Sequence, residues 1–137
     1  MKKKAAEQVL CYHLEADVLE TVRAVMRKLS IACRALPEES RREKVGFLLG
    51  KRGFSPAPKD DAPEFVFPDA VMVFDQIQGK RLDQVLAAMK EAGVPPICYK
   101  AVATPFNVHW TLRRLCETMK KEHAYMTEGA KNDDGEA

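Results

Sequence analysis

Two short apolar runs, Val9–Leu14 and Ala70–Phe74, constrain the fold most. Each is nearly continuous in apolar character, as a central strand covered on both faces must be. A helical stripe follows each. In the first, Asp17 is placed to cap and Glu20 to complete a capping box, ahead of Val18, Val22, Val25, Met26 and Leu29. In the second, Leu82, Val85, Leu86 and Met89 form the stripe, with Leu86 expected in the core. Gly93 stands where a helix stops, and Pro95-Pro96 forbid continuation.

A second strand then follows each helix, Ile31–Leu36 and Ile97–Val102, with a basic residue, Arg34 or Lys100, at its fourth place. A cation in mid-strand suits an edge. Each half closes on a helix. In the first, Ser40 and Glu43 form a capping box before Val45, Leu48 and Leu49, with a stop at Gly50. In the second, Thr111 caps, and Trp110 and Leu115 stand at the two places of a hydrophobic staple.

The pattern predicts an α/β fold built from an internally duplicated βαβα unit. The sheet has four strands, with strands 1 and 3 central and helices on both faces. A parallel sheet of order 2-1-3-4 is favoured, because four amphipathic helices can cover two faces. An elaborated ferredoxin-like βαββαβ sheet is the alternative. One domain is expected over residues 1–126, with repeat 1 at about 8–50, a proline-rich linker at 51–69 and repeat 2 at about 70–126. A mobile acidic tail is expected at 127–137.

Composition narrows the function. At 46% apolar in 137 residues, the chain can bury a core without a metal or disulfide staple. Its 22 basic and 20 acidic residues leave a net charge of +2, too balanced to mark a nucleic-acid binder. The charge is uneven along the chain: residues 1–59 hold 13 basic and 7 acidic groups, and residues 60–137 hold 9 and 13. No apolar run reaches the roughly 18–20 residues that span a bilayer, so no membrane partner is expected. The Met-Lys-Lys-Lys start is followed by too short an apolar run for a secretion signal. The four cysteines sit inside apolar runs without C-x-x-C spacing. Both features suit reduced thiols in the cytoplasm.

The stretch Lys100-Ala101-Val102-Ala103-Thr104-Pro105-Phe106-Asn107-Val108-His109-Trp110-Thr111-Leu112 resembles the pattern of a bacterial family catalogued only as domain of unknown function number 3783. Lys121-Glu122-His123 resembles that family's helix ending, and Val71–Phe74, Leu82–Met89 and Gly93 are similar to its preceding elements. Upstream, Glu43-Lys44-Val45-Gly46-Phe47-Leu48-Leu49-Gly50 resembles a run that accompanies the domain, so the resemblance extends over most of residues 7–126. Members often carry an acidic residue after the Thr-Leu pair, where this chain has Arg113-Arg114. The resemblance implies a bacterial cytosolic origin and no particular activity or cofactor.

The most site-like segment is Thr104–Trp110. Thr104 and Asn107 would offer a hydroxyl and an amide at a strand's C-terminal end, where open α/β sheets bind ligands. The same residues also make a turn, with Pro105 fixing φ and Asn107 bonding the backbone. Lys100, His109 and Arg113 could favour an anion near the start of the last helix, beside Trp110. The alternative for these cations is a solvated helix face and an edge-strand lysine.

Other chemistries find less support. Cys11 and His13 share a strand face, and Cys33 or Cys98 could approach them, but the spacing demands no metal. Cys98 and His109 stand at opposite ends of a strand, too far apart for a nucleophilic dyad. Asp17 reads as a cap and Asp75 as a strand-end residue. The glycine-rich nucleotide loops of both familiar types are absent. The sequence assigns no catalytic residue, cofactor, metal or oligomeric state. A non-catalytic small-molecule-binding or regulatory/interaction module is expected, its partner open, with a small anionic ligand as one candidate. A small enzyme or anion-binding protein using the Thr104–Trp110 loop is the alternative, and a nucleic-acid partner a weaker one.

Overall fold

In the computed structural model, which describes residues 6–58 and 67–123, the two apolar runs lie side by side at the centre of one sheet. The order of elements is β1 (Gln8–Tyr12), α1 (Ala16–Lys28), β2 (Ala32–Leu36), a 3-10 turn (Glu38–Arg42) and α2 (Val45–Leu48). Then come β3 (Val71–Asp75), α3 (Gly79–Glu91), β4 (Tyr99–Val102), a second 3-10 turn (Asn107–His109) and α4 over residues 112–123. The expected tail at 127–137 and residues 59–66 of the expected linker lie outside the described residues. Among the described residues no helix is long and apolar enough to cross a membrane.

The strand order is β2-β1-β3-β4, as expected, with the uninterrupted apolar strands inside. The direction of the central pair corrects the all-parallel expectation. β1 and β2 are parallel, β3 and β4 are parallel, but β1 and β3 run antiparallel. The ferredoxin-like alternative is corrected as well, since there a third strand separates the two strands that flank each helix.

Crossovers between parallel strands are right-handed. In an all-parallel 2-1-3-4 sheet, two such crossovers lead outward in opposite directions and leave their helices on opposite faces. Reversing one half places both helices on the same face. Here α1 and α3 pack together over Val9, Cys11, Met72 and Phe74. The other face, with Leu10, Tyr12, Val71 and Val73, lies under Val45, Leu48, Leu49, Val108, Leu112, Leu115 and Cys116. Helices therefore cover both faces, divided as opening helices against closing ones.

The halves correspond in detail. Residues 8–30 match residues 71–93 at a constant offset of 63, strand to strand and helix to helix. The left-handed residues His13 (φ 61°) and Gln76 (φ 63°) correspond, as do Ser30 (φ 61°) and Gly93 (φ 87°). From β2 and β4 onward the offset is 67, the second half having four more residues around Pro95-Pro96. Glu43 then corresponds to Trp110 and Val45 to Leu112. These residues bond reciprocally: Val45 N–H donates to Trp110 O (2.8 Å), and Leu112 N–H donates to Glu43 O (2.9 Å).

Helix ends depart from the expected caps. α1 starts two residues early and has no side-chain cap, with Asp17 already in its first turn. Ser40 is buried within the 3-10 turn, and Glu43 turns its carboxylate to the Ala57 N–H (2.5 Å). Thr111 does cap α4, its hydroxyl oxygen accepting from Arg114 N–H (3.1 Å). At the other ends, α1, α2 and α3 stop alike. The N–H groups of Ile31, Lys51 and Val94 reach back to the carbonyls of Met26, Gly46 and Met89 (2.8, 2.9 and 3.0 Å).

Candidate anion-binding site

The Thr104–Asn107 loop is closed on itself. Thr104 Oγ1 accepts from the N–H groups of Phe106 (3.2 Å) and Asn107 (3.0 Å). Asn107 Oδ1 accepts from Thr104 N–H (2.8 Å), and Asn107 Nδ2 donates to Val102 O (3.0 Å). The Asn107 amide is therefore engaged with the backbone at both ends. Its burial under the loop is satisfied without a ligand.

The six expected site residues fall into separate places. Lys100 pairs in register with Met72 and so lies on the α1/α3 face, where Nζ donates to Ile97 O (3.0 Å). His109, Trp110 and Arg113 belong to elements of the opposite face. Arg113 pairs with Glu117 (3.5 Å), and Trp110 carries the Arg114 guanidinium 4.5 Å above its ring. Arg34 is opposite Leu10 and Lys100 opposite Met72, so the two strand cations are on different faces and are not equivalents. Asp75 and His13 sit at opposite edges, because Gln8 pairs with Asp75 and Tyr12 with Val71.

His109 does face a cleft. It lines a space of about 510 Å³ with Arg42, Lys44, Phe54 and Thr111, walled by Ser55–Pro58. The bridge between Lys44 and Thr111 brings the two halves together there. Phe54 lies against His109, ring centres 5.3 Å apart and planes tilted by 39°. No carboxylate is among the described residues lining this cleft, and among the described residues neither Arg42 nor Lys44 forms an ion pair. Thr111 uses its oxygen as an acceptor for the cap, which leaves its O–H proton to donate.

Sequence reasoning missed Arg42, Lys44 and Phe54. In the sequence, Arg42 and Lys44 belong to the basic residues behind the weaker nucleic-acid alternative and otherwise read as solvated charges of the first half. The signal that could have found them is Gly46, a glycine inside an apolar helical run, which suggests close approach of another group.

The remaining polar clusters tie elements together. The buried Asp75 carboxylate contacts Lys51 Nζ (3.2 Å) and accepts from Gln8 Nε2 (3.0 Å). Arg81 grips Glu7 with two bonds (2.8 and 2.9 Å) and reaches Leu29 O (2.7 Å). At the opposite edge, His13 stacks on Tyr12, donates from Nδ1 to Phe67 O (2.5 Å) and contacts the Glu38 carboxylate. Among the described residues no three metal-binding side chains cluster.

Residues 70–126 match the model of a family described as "Domain of unknown function (DUF3783)". The matched segment takes in β3, α3, β4, the Thr104–Trp110 loop and α4, so the second half of the chain carries this domain's pattern. Residues 7–69 lie outside the match. No curated protein and no solved structure matches the chain.

Proposed function

We propose that the protein is a non-catalytic module that binds a small anionic molecule, carrying phosphate or carboxylate, in the cleft between Arg42, Lys44, His109 and Thr111. One observation carries this reading: three basic side chains converge on a concave space whose described lining holds no carboxylate. Arg42 and Lys44 supply positive potential, and the Thr111 hydroxyl can donate to an anion oxygen. Phe54 and the prolines beside it offer apolar contact to the rest of the ligand. In this reading Thr104 and Asn107 shape the loop that presents His109 and do not touch the ligand themselves. The matching halves suggest an internal duplication. The family resemblance and four free thiols favour a bacterial cytoplasmic setting.

Titration with inorganic phosphate and with phenyl phosphate, followed by amide and imidazole NMR shifts, tests the proposal. Shifts are expected at residues 42–44, 54–58 and 109–111, tighter for phenyl phosphate and weakened by added salt. Arg42→Gln with Lys44→Gln should abolish them. Shifts centred elsewhere, or unchanged by the double variant, reject this cleft.

A second reading rests on Phe106, which stands 78% exposed on the rigid Thr104–Asn107 turn. An exposed aromatic on a fixed turn suits a protein-contact anchor. Phe106→Ser should then weaken capture of a partner protein while leaving phosphate shifts intact.

A further inference from the structure

We propose that Cys33 is a peroxide-oxidisable thiol, held at the sheet's edge with the buried Cys11 thiol as its hydrogen-bond donor. Cys33 is half-buried on β2, the outer strand, whereas Cys11 lies buried on β1 among the residues under α1. Their sulfurs are 3.8 Å apart, a hydrogen-bond distance between thiols. Charge is costly at the buried sulfur, so Cys11 keeps its proton and donates to Cys33. The bond from Cys11 and, beyond it, the Arg23 guanidinium outweigh burial and bring the Cys33 thiol down to about 7. The bond to Cys33 and burial raise that of Cys11. Partly exposed, cation-influenced thiols are the reactive ones.

The step is a two-electron transfer to hydrogen peroxide. The Cys33 thiolate attacks one peroxide oxygen, the S–O bond forms and the O–O bond breaks. Hydroxide leaves and takes up a proton from solvent to become water. Sulfur is oxidised to sulfenic acid and the peroxide is reduced.

Register argues against Cys11 closing a disulfide. Cys33 stands opposite Val9, and Cys11 opposite Ala35, so the cysteines are diagonal neighbours. Diagonal backbone positions are typically about 7–8 Å apart, beyond the roughly 4.4–6.8 Å that a disulfide spans. Cys11 is thus a positioning residue, and the sulfenic acid is the product.

The full chain is treated with hydrogen peroxide between pH 5.5 and 9, with dimedone trapping and peptide mass spectrometry. The exposed Cys98 serves as reference. The Cys33 rate is expected to level off above about pH 7. At pH 6, Cys11→Ala should slow Cys33 by about three- to tenfold, as its thiolate fraction falls. Arg23→Gln, a surface change that leaves the fold intact, should move the inflection upward too. Cys11→Ser keeps a donor and should keep the inflection. An unchanged profile in both Cys11→Ala and Arg23→Gln overturns the proposal. So does earlier trapping at Cys98, or a Cys11–Cys33 disulfide in place of the sulfenic acid.

Discussion

The ring of Phe54 occupies the space that a β-carbon on Gly46 would need. This contact fixes the wall of the proposed anion cleft, because Phe54 also lies against His109. Gly46→Ala should push the ring away and cost about 1–3 kcal/mol, as overpacking does. The His109 imidazole resonances should shift as the ring leaves. Phe54→Ala in the same background removes the clash, so the double variant should be more stable than the two single costs added together. Denaturant midpoints of the four proteins check this; strict additivity would mean that the ring does not seat against Gly46.

Ser30 ends α1 in the left-handed region, at the position where Gly93 ends α3. A side chain there costs roughly 1 kcal/mol or more, which glycine avoids. Ser30→Gly should therefore stabilise the protein by about 1 kcal/mol, with a higher denaturation midpoint and an unchanged slope. Gly93→Ala should do the reverse.

Asp75 is 3% exposed, and its carboxylate contacts Lys51 Nζ and accepts from Gln8 Nε2. Lys51→Met removes the cation and leaves a buried carboxylate, a change that costs about 3–5 kcal/mol where such pairs are broken. Adding Asp75→Asn should recover much of that loss. Chemical denaturation of the single and double variants decides it.

Alkaline pH should weaken the fold. Burial, reinforced by Glu117, pushes the Cys116 thiol up to about 12, and burial with Glu38 pushes Tyr12 up to about 12. Both groups hold their protons in the folded chain and lose them more readily unfolded. Their stabilisation is complete below the unfolded values, near 9 and 10, and is lost as pH rises toward 12. Each contributes a slope on the order of 1.4 kcal/mol per pH unit in its window. Cys116→Val should flatten the fall that begins near pH 9.

Strand order was legible in the sequence because Val9–Tyr12 and Val71–Phe74 need cover on both faces, while Arg34 and Lys100 do not. Strand direction was not, since an apolar run reads the same whichever way it points. Helix faces were legible to within a residue or two. Val85 and Met89 are buried, but Leu86, expected beside them in the core, is only half-buried. Met89→Ala should accordingly cost about 2–5 kcal/mol, and Leu86→Ala less, by denaturant titration. Of the proposed site, the sequence already named His109, and the turn chemistry of Thr104 and Asn107 was legible because local spacing carries it. Arg42, Lys44 and Phe54 were not, because they meet His109 only through the Lys44–Thr111 bridge, 67 residues apart in the chain.

The halves differ most where they close. α2 ends after one turn at Gly50, and the chain doubles back through Phe54 to build one side of the cleft. α4 instead continues through residue 123, so among the described residues the second half has no counterpart of the segment that doubles back through Phe54. A fold with twofold character would ordinarily present its sites in pairs. For the proposed anion site, this broken symmetry predicts a single stoichiometry: binding isotherms should saturate at one anion per chain.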